Sequence, residues 1–294
     1  MANVAGMMTN PGIAKRRRLI NRGMSALVYA AVCLAIAPLV FVLADVAIKG
    51  ASAINIDFFT KLPTPVGVSG GGIANAIVGT FIMVGIGSLI SIPIGAGAGI
   101  FFSEWPESRL SIISSFMNDV LAEFPSIVIG IFVFILVVLA TGTFSALAGG
   151  ISLAIIMIPI VARTTEESLK LVPRSLREAA MALGISRWKT VLRIVISTGK
   201  AGLFTGILLA VARAAGETAP LLLTSLGNTF YASSLMQPTA AMPLLIYTYG
   251  ISPFPDWQAK AWGAALVLIL IMLALNLLVK LTIGRRFANQ RAEI

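Results

Sequence analysis

The sequence lacks histidine altogether and contains a single cysteine, Cys33. Without histidine, Ser-His-Asp and Cys-His catalytic systems are excluded. One thiol alone forms neither an internal disulfide nor a structural zinc site. Charged residues make up only 12% of the 294 residues, whereas about a quarter of the residues of soluble proteins are charged. With 57% hydrophobic residues, the composition predicts one membrane domain that crosses the bilayer several times.

Long uncharged stretches predict six membrane-spanning helices, because about 20 apolar residues suffice to cross the bilayer. Four of them lie at residues 23–44, 73–102, 200–225 and 261–279. Two more flank a turn at residues 141–143, the first beginning near Phe116 and the second ending at Ala162. The predicted organisation is a basic tail at 1–22, a first helix at 23–45, an outside loop at 46–72, a transmembrane core at 73–283 and a C-terminal tail at 284–294.

The distribution of lysine and arginine predicts the orientation of these helices, since cytoplasmic segments are enriched in both residues. If both termini are cytoplasmic, every lysine and arginine lies inside except Lys49, Lys61, Lys260 and the intramembrane Arg213. The net charge of +10 is then explained by topology, and we expect no nucleic-acid binding. The first apolar run is longer than the roughly 7–15 residues of a signal peptide, so a retained first helix is predicted.

The cytoplasmic segment at residues 163–200 has the pattern of two helices joined by a turn. Pro173 suits the first position of a helix. An apolar stripe then repeats at helical spacing at Leu176, Ala179, Ala180 and Leu183. Gly184 stands where a left-handed cap is expected, and Ser186 stands where the next helix would be capped. A basic amphipathic helix lying on anionic lipid has the same periodicity, so the pattern alone leaves both interpretations open.

Two charged side chains lie inside the predicted fifth helix. Arg213 comes 13 residues after Lys200, about 20 Å along a helix and hence near mid-membrane. Glu217 follows one turn later on the same face. Pro220 has no N–H to donate to the carbonyl of Gly216, so a kink is predicted there. A weakened backbone beside two charges favours a water-lined substrate path; the alternative is that the charges neutralise each other and orient neighbouring helices.

Arg163 is a second candidate for a substrate path, at the end of the predicted fourth helix and four residues after Pro159. The donor fork of a guanidinium group matches a tetrahedral oxyanion. An ordinary interfacial arginine that follows the positive-inside rule is the alternative. Glu217 would moderate the attraction of the path for an anion, because a transported ion must be released as well as bound.

A run of small residues, Gly-Ala-Gly-Ala-Gly at residues 95–99, lies in the predicted second helix. Such a surface allows another helix to approach closely. The sequence leaves open whether that helix belongs to the same chain or to a partner subunit.

The cytoplasmic segment resembles the EAA loop of ABC importer permeases. The resemblance rests on Glu178-Ala179-Ala180, on Gly184 after three intervening residues, and on Ile194 after nine more. The closing Leu-Pro of the family pattern is replaced by Ile196-Ser197. In that family the loop is a coupling helix that docks in a groove of the ATPase subunit. The two alanines would permit close approach, and Gly184 would permit a turn that a Cβ obstructs.

Further stretches resemble the A-type permeases of bacterial phosphate-specific ABC importers. The most particular are Arg163-Thr164-Thr165-Glu166-Glu167 and Ala212-Arg213-Ala214-Ala215-Gly216-Glu217-Thr218-Ala219-Pro220. The resemblance covers about residues 73–283. It implies an all-α type I ABC importer fold with six transmembrane helices in the bacterial cytoplasmic membrane. It also associates the positions of Arg163 and Arg213 with phosphate translocation and matches Glu217 to the acidic residue of the second motif.

The resemblance further implies a permease subunit, not an enzyme, that moves inorganic phosphate inward. Its partners would be a second permease subunit, an ATPase dimer and a phosphate-binding protein outside the membrane. The chain has no G-x-x-x-x-G-K-[ST] phosphate loop. We therefore expect the ATPase to use ATP and Mg, and this chain to bind neither cofactor nor metal. The alternatives are a permease for sulfate or molybdate, an ATP-independent secondary carrier, and a membrane scaffold.

Overall fold

A computed structural model describes residues 11–68 and 70–291, and the side chains of residues 15–68 and 70–277. Within these ranges the chain is helical, and its one β-type pairing is an isolated bridge between Leu226 and Thr239. The chain divides into two compact units, Met1–Lys49 and Gly50–Ile294. The architecture of the described residues is therefore all-α, as the resemblance to ABC importer permeases implied.

Helix α1, Pro11–Ala53, contains the predicted first span and extends beyond it at both ends. Residues 11–22 were predicted as a tail but are helical, and residues 1–10 of that tail lie outside the described residues. The predicted loop from residue 46 was wrong in its start, because the helix continues to Ala53. An ion pair one turn apart, with Lys49 Nζ 3.0 Å from Asp45 Oδ2, stabilises this continuation.

The second unit contains twelve further α-helices within its described residues. They are α2 Ile56–Thr60, α3 Ala74–Glu104, α4 Arg109–Glu123, α5 Ser126–Val133, α6 Leu139–Thr141, α7 Ala146–Lys170, α8 Arg174–Ala182, α9 Arg187–Thr190, α10 Ile196–Ala215, α11 Ala219–Thr224, α12 Met242–Gly250 and α13 Pro255–Arg291. Two π-helical turns, Phe134–Val138 and Val191–Val195, join α5 to α6 and α9 to α10. The predicted C-terminal tail at 284–294 is thus helical to residue 291, and residues 292–294 lie outside the described residues.

Among the described residues, five helical segments are long and apolar enough to cross a membrane, and a bent pair provides a sixth. The pair consists of Arg109–Glu123 and Ser126–Thr141, which are bent by 102°. The prediction of one helix running on from Phe116 was therefore wrong. Pro125 cannot continue a helix and forces Phe124 into an extended conformation, with φ −64° and ψ 132°. The predicted number of six spans is confirmed when the bent pair is counted as one.

The fourth and fifth spans have different ends from those predicted. Helix α7 continues to Lys170, whereas the sequence indicated an end at Ala162. The fifth span begins at Arg187 instead of Lys200 and ends at Ala215 instead of Ser225. At 25 and 29 residues, both are longer than the roughly 20 residues that hydrocarbon requires. Charged turns can therefore extend the helices beyond the hydrocarbon, which a search for uncharged stretches does not detect.

Helices α3 and α7 pack closely through glycines, and this resolves the question left by the small-residue run. A Cβ on Gly95 would lie 2.8 Å from the carbonyl oxygen of Ile158, and one on Gly99 would overlap the carbonyl oxygen of Ala162. A Cβ on Gly97 would meet nothing within 4 Å among the described residues. Gly95 and Gly99 thus serve packing within the chain.

Helix α10 runs antiparallel to α7, and glycines again mark the contact. Gly206 lies against Thr164, and Gly202 lies against Ser168. Moving four residues forward along α10, from Gly202 to Gly206, therefore corresponds to moving four residues backward along α7, from Ser168 to Thr164. This register fixes the relative depths of the charged residues on the two helices.

Candidate functional site

Arg213 and Glu217 form a loose ion pair at the end of α10. The Nε atom of Arg213 lies 3.6 Å from Oε1 of Glu217, a distance too long for a strong hydrogen bond. The Arg213 side chain is 60% exposed on the surface of this chain, whereas that of Glu217 is 15% exposed. The guanidinium group therefore keeps most of its N–H donors available to another acceptor.

The register between α7 and α10 gives the depth of Arg213. Extended from the contact of Gly206 with Thr164, it brings Arg213 level with Met157. Met157 is fully buried near the middle of Ala146–Lys170, in the same apolar cluster as Ala210 and Ala214. Arg213 thus lies level with the centre of a transmembrane helix. The sequence-based depth of about 20 Å was counted from Lys200, whereas the fifth span begins at Arg187.

The backbone beyond Arg213 is broken rather than kinked. Helix α10 ends at Ala215, Gly216 caps it, and α11 begins at Ala219. Pro220 is the second residue of α11, where a missing N–H costs nothing. The predicted kink at Gly216 and Pro220 was therefore wrong in form, because the chain leaves the helix before the proline. Glu217 lies in this non-helical break and not one helical turn above Arg213.

Helix α11 is held in place by the bent third span. A Cβ on Gly130 of α5 would lie 2.8 Å from Cα of Pro220. At the other end of α11, the carbonyl of Thr224 accepts a hydrogen bond of 3.0 Å from the N–H of Ser145. Glu217 therefore lies in a short break between α10 and α11, and α11 is packed against α5 and bound to Ser145.

Arg163 is more tightly paired than Arg213. Its Nη1 lies 3.2 Å from Oε2 of Glu166, and its Nε donates to Oε1 of Glu167 at 3.1 Å. Asp119 on α4 adds electrostatic attraction. Lys170 also binds Glu166, at 2.6 Å. Arg163 was expected at the end of its span but lies seven residues before the end of α7, because the helix continues through these ion pairs.

The two arginines are not brought into contact with each other. In the register of α7 and α10, Arg163 is level with residue 207, so Arg213 lies about 9 Å farther along the bundle. Among the described residues, each guanidinium group is paired with its own glutamates. The arrangement is two cationic positions at different depths.

The predicted cytoplasmic turn is formed as the sequence indicated. Helix α8 ends in a Schellman motif, in which Ile185 N–H donates to the Ala180 carbonyl at 3.2 Å and Gly184 N–H donates to the Met181 carbonyl at 2.9 Å. Gly184 has φ +80°, the left-handed conformation that glycine favours. Ser186 occupies the predicted cap position, but its side chain makes no capping hydrogen bond.

The surface of α8 divides the EAA residues into two groups. Ala180 is buried against the chain, whereas Glu178 and Ala179 are exposed. Leu176 and Leu183, predicted to lie on one apolar face, are exposed as well. Apart from Ala180, this face is therefore uncovered by the described chain and is available to another surface.

Two further residues that the sequence did not single out fasten α8 to the transmembrane helices. Arg177 forms an ion pair of 2.9 Å with Glu104, the last residue of α3. Their side chains are 17% and 5% exposed. The pair joins positions 73 residues apart, and no local pattern in the sequence links them.

Beside this pair lies a cavity of about 670 Å³. No group of three or more potential metal-binding side chains occurs within the described ranges.

The segment between α11 and α12, which was predicted to lie outside the membrane, presents apolar side chains to its surroundings. Leu226 has the unusual φ of +59°, and its side chain is exposed. Other exposed apolar residues follow at Phe230, Tyr231, Leu235 and Met236. The segment is anchored by Asn228, whose carbonyl accepts from the amide group of Asn75 at 2.5 Å.

Comparison with known proteins identifies the family. Residues 91–286 match the family described as binding-protein-dependent transport system inner membrane component. The chain is 44% identical over 266 residues to the phosphate transport system permease protein PstA of Haemophilus influenzae, covering 90% of this chain and 94% of that protein. It is 42% identical over 271 residues to PstA of Yersinia pestis, covering 92% of each. It is 36% identical over 270 residues to PstA of Mycobacterium leprae, covering 90% of this chain and 89% of that protein.

Solved structures support the fold alone. One chain of the MetNI methionine ABC transporter, solved in an inward-facing conformation, has a TM-score of 0.54 at 17% identity, covering 73% of this chain and 92% of that chain. A second crystal form has a TM-score of 0.56 at 16% identity, covering 73% and 94%. Together with its apolar spans, these relatives identify a multi-pass inner membrane protein of the type I ABC permease fold. The chain therefore belongs to the family of binding-protein-dependent transport system inner membrane components, and within it to the phosphate transport system permease proteins named PstA.

Proposed function

We propose that this chain is one of two permease subunits that form the inward path of inorganic phosphate across the cytoplasmic membrane. The relatives named as phosphate transport permeases cover about nine tenths of the chain at 36–44% identity. The observation that carries the proposal is the exposed guanidinium group of Arg213, level with the centre of a transmembrane helix. Such a group is costly against lipid and is expected to face a path or a partner subunit.

Arg213 and Glu217 can act together on phosphate. The guanidinium fork binds two oxygens of a tetrahedral anion. At neutral pH phosphate carries protons, so one of its hydroxyl groups can donate a hydrogen bond to the Glu217 carboxylate. Sulfate has no such hydrogen to offer. The neighbouring negative charge also weakens the hold of Arg213, which permits release.

Arg163 is proposed as the second cationic position, on the cytoplasmic side of Arg213. Its two glutamate partners differ, since the Glu167 side chain is 63% exposed and that of Glu166 only 5%. An anion arriving from Arg213 would replace Glu167 while Glu166 stays bound to Lys170. Phosphate would thus move inward from Arg213 to Arg163, and at each position it would be paired with a guanidinium group and never left as an unpaired charge.

Transport is proposed to be driven by a separate ATPase dimer that uses ATP and Mg. Glu178, Ala179 and the Gly184 turn lie on the exposed side of α8, where a partner can reach them. ATP binding would shift the population between outward-open and inward-open states through this contact. We also propose a second permease subunit beside this chain, and a phosphate-binding protein that docks on the exposed outside segment near Phe230 and Tyr231. Both termini are proposed to be cytoplasmic.

Replacement of Arg213 by glutamine tests the path. In vesicles containing the assembled complex, Arg213→Gln is expected to lower phosphate uptake by more than about 30-fold, the scale of losing a charged hydrogen-bond partner. Arg109→Gln, which removes the exposed arginine at the first position of α4, is the matched control and should leave uptake unchanged. Assembly is checked by purification of the complex. Uptake retained in the Arg213 variant would contradict the path.

Competition separates phosphate from the other oxyanions. Excess sulfate or molybdate should leave uptake of labelled phosphate unchanged, and direct uptake of labelled sulfate should be absent. Equal transport of sulfate would overturn the phosphate assignment. Purification from membranes should also recover an ATPase subunit, and uptake that proceeds without ATP would instead indicate a secondary carrier.

A further inference from the structure

We infer that Arg177 and Glu104 form the connection through which movement of the coupling helix α8 reaches transmembrane helices α3 and α7. This inference rests on the proposed function, because it assumes that an ATPase displaces α8. It assigns a positioning role to two residues that lie outside the EAA pattern and outside the substrate path.

Arg177 joins three helices with one side chain. Its Nε and Nη2 donate to Oε1 of Glu104 at 3.2 and 2.9 Å. Its Nη1 donates to the Val172 carbonyl at 2.6 Å, and its Nη2 also donates to the Leu169 carbonyl at 3.0 Å. Glu104 ends α3, Leu169 lies in the last turn of α7, and Val172 lies two residues beyond its end. The planar fork of arginine suits this set of fixed acceptors, which a lysine could not satisfy together.

The helix on the other side of the Gly184 turn is fastened to the same end of α3. Arg187, the first residue of α9, donates from Nη2 to the backbone carbonyl of Glu104. Its guanidinium group also lies 4.9 Å from the ring centre of Trp105. A helix C-terminus carries partial negative charge, so both arginines are favoured there. Helices α8 and α9, on the two sides of the Gly184 turn, are therefore both bound to Glu104 at the end of α3, which is called the anchor below.

The anchor is firm because its carboxylate is buried and an apolar cluster lies next to it, although both side chains also line the cavity of about 670 Å³. The Glu104 side chain is almost completely enclosed, and an ion pair in such a place depends on keeping both partners. Leu169, Val172 and Val195 form a buried cluster that includes Ile100 of α3. Displacement of α8 would therefore move the ends of α3 and α7 with it instead of bending a flexible loop.

The anchor leads directly to the proposed substrate path. Helices α3 and α7 contact each other through Gly95 and Gly99, which leaves little room for sliding. Arg163 lies on α7 only two turns before the end that Arg177 binds. A movement of that end therefore changes the position of the inner cation.

The test compares variants by the phosphate transported per ATP hydrolysed in vesicles containing the whole complex. Arg177→Met should lower this ratio by about tenfold, within the range of ordinary coupling free energies. Arg174→Met is the matched control, because Arg174 lies one turn earlier on α8, is exposed and forms no salt bridge with the described residues. It should leave the ratio unchanged.

A double variant, Glu104→Met with Arg177→Met, separates transmission from simple stabilisation. It removes both charges, so no carboxylate is left buried and unpaired. If the pair transmits movement, the double variant assembles but its ratio stays low. A ratio within about twofold of the unmodified complex would overturn the inference, since the pair would then only stabilise the fold.

If the methionine variants fail to assemble, Arg177→Lys tests whether the pair transmits movement or only stabilises the fold. Lysine keeps the charge but reaches fewer of the acceptors, so the complex should assemble with a ratio lowered by about threefold. An unchanged ratio, or loss of assembly despite the retained charge, would overturn the inference. Failure of the proposed function would instead appear in the unmodified complex, as ATP hydrolysis without phosphate movement.

Discussion

Two arginine–glutamate pairs in this protein have the same chemical groups and opposite environments. Arg213 lies 3.6 Å from Glu217, and its side chain is 60% exposed. Arg177 lies 2.9 Å from Glu104, and its side chain is 17% exposed. Arg177 also donates to two backbone carbonyls, whereas no such hydrogen bond of Arg213 occurs within the described residues. One guanidinium group retains free donors, and the other has its donors occupied.

The difference shows that burial, rather than residue type, decides what an ion pair can do. A loose pair whose arginine is exposed contributes little to stability and can exchange partners, as a substrate path requires. A buried pair is costly to break from one side, as a mechanical connection requires. The comparison therefore fits the first pair to the proposed substrate path and the second to the inferred transmission of movement.

The largest expected effect is on stability, and it should separate the two pairs. Arg177→Met leaves Glu104 buried without a partner, so the free energy of unfolding should fall by about 3–5 kcal/mol. Arg213→Gln should lower it by less, about 1 kcal/mol, because the Nε–Oε1 distance of 3.6 Å makes the pair loose and the Arg213 side chain is 60% exposed. Denaturant titration of the purified permease in detergent measures both changes. Equal losses would erase the distinction between the pairs.

The second prediction concerns recovery of stability in the variant with methionine at both 104 and 177. Removing the stranded carboxylate should restore about 2 kcal/mol or more relative to Arg177→Met, since apolar replacement of a whole buried pair is often nearly neutral. The same titration measures it. If the double variant is no more stable than Arg177→Met, then a buried, unpaired Glu104 carboxylate is not the cause of the stability loss.

The third prediction uses two glycines with the same conformation in different places. Gly184 has φ +80° and Gly142 has φ +70°, and a Cβ on either would meet nothing within 4 Å among the described residues. Valine at either position should therefore cost about 1–2 kcal/mol of backbone strain. Only Gly184→Val should also lower phosphate-stimulated ATP hydrolysis. An equal effect of Gly142→Val on hydrolysis would count against docking at the turn.

The smallest expected effect concerns Glu217. Glu217→Gln removes the charge that competes with phosphate for Arg213, so phosphate should bind more tightly and leave more slowly. We expect KM and the maximal rate of uptake both to fall a few-fold, measured over a range of phosphate concentrations in vesicles. A rise in KM would show that the carboxylate attracts the substrate more than it promotes release.

Much of the fold could be predicted from the sequence because its determinants are local. Uncharged length indicates a span, and Gly184 after an apolar stripe indicates a left-handed helix end. Proline was less decisive. Before Pro125 the chain leaves its helix at Phe124, whereas Pro220 lies in the first turn of α11 and the break precedes it, after Ala215. Charged helical turns beyond the bilayer, such as the one ending at Lys170, also escaped a search for apolar runs.

The candidate site divides in the same way. Arg163, Arg213 and Glu217 could be singled out because charges are rare in apolar stretches. Glu104 and Arg177 could not, because both lie among other charged residues and meet only when α3 and α8 are assembled. That Arg163 is held by Glu166 and Glu167 also emerged only from the structure.

Chemical accessibility of position 213 tests the central claim most directly. Cys33 is the only cysteine of the chain, so Cys33→Ser with Arg213→Cys leaves a single thiol at this depth. In the assembled complex, a water-soluble anionic methanethiosulfonate should modify that thiol rapidly, because the account places it in an aqueous path. Resistance to this reagent, combined with reaction only with a lipid-soluble maleimide or with neither, would place position 213 against lipid or in a dry helix contact and would contradict the account.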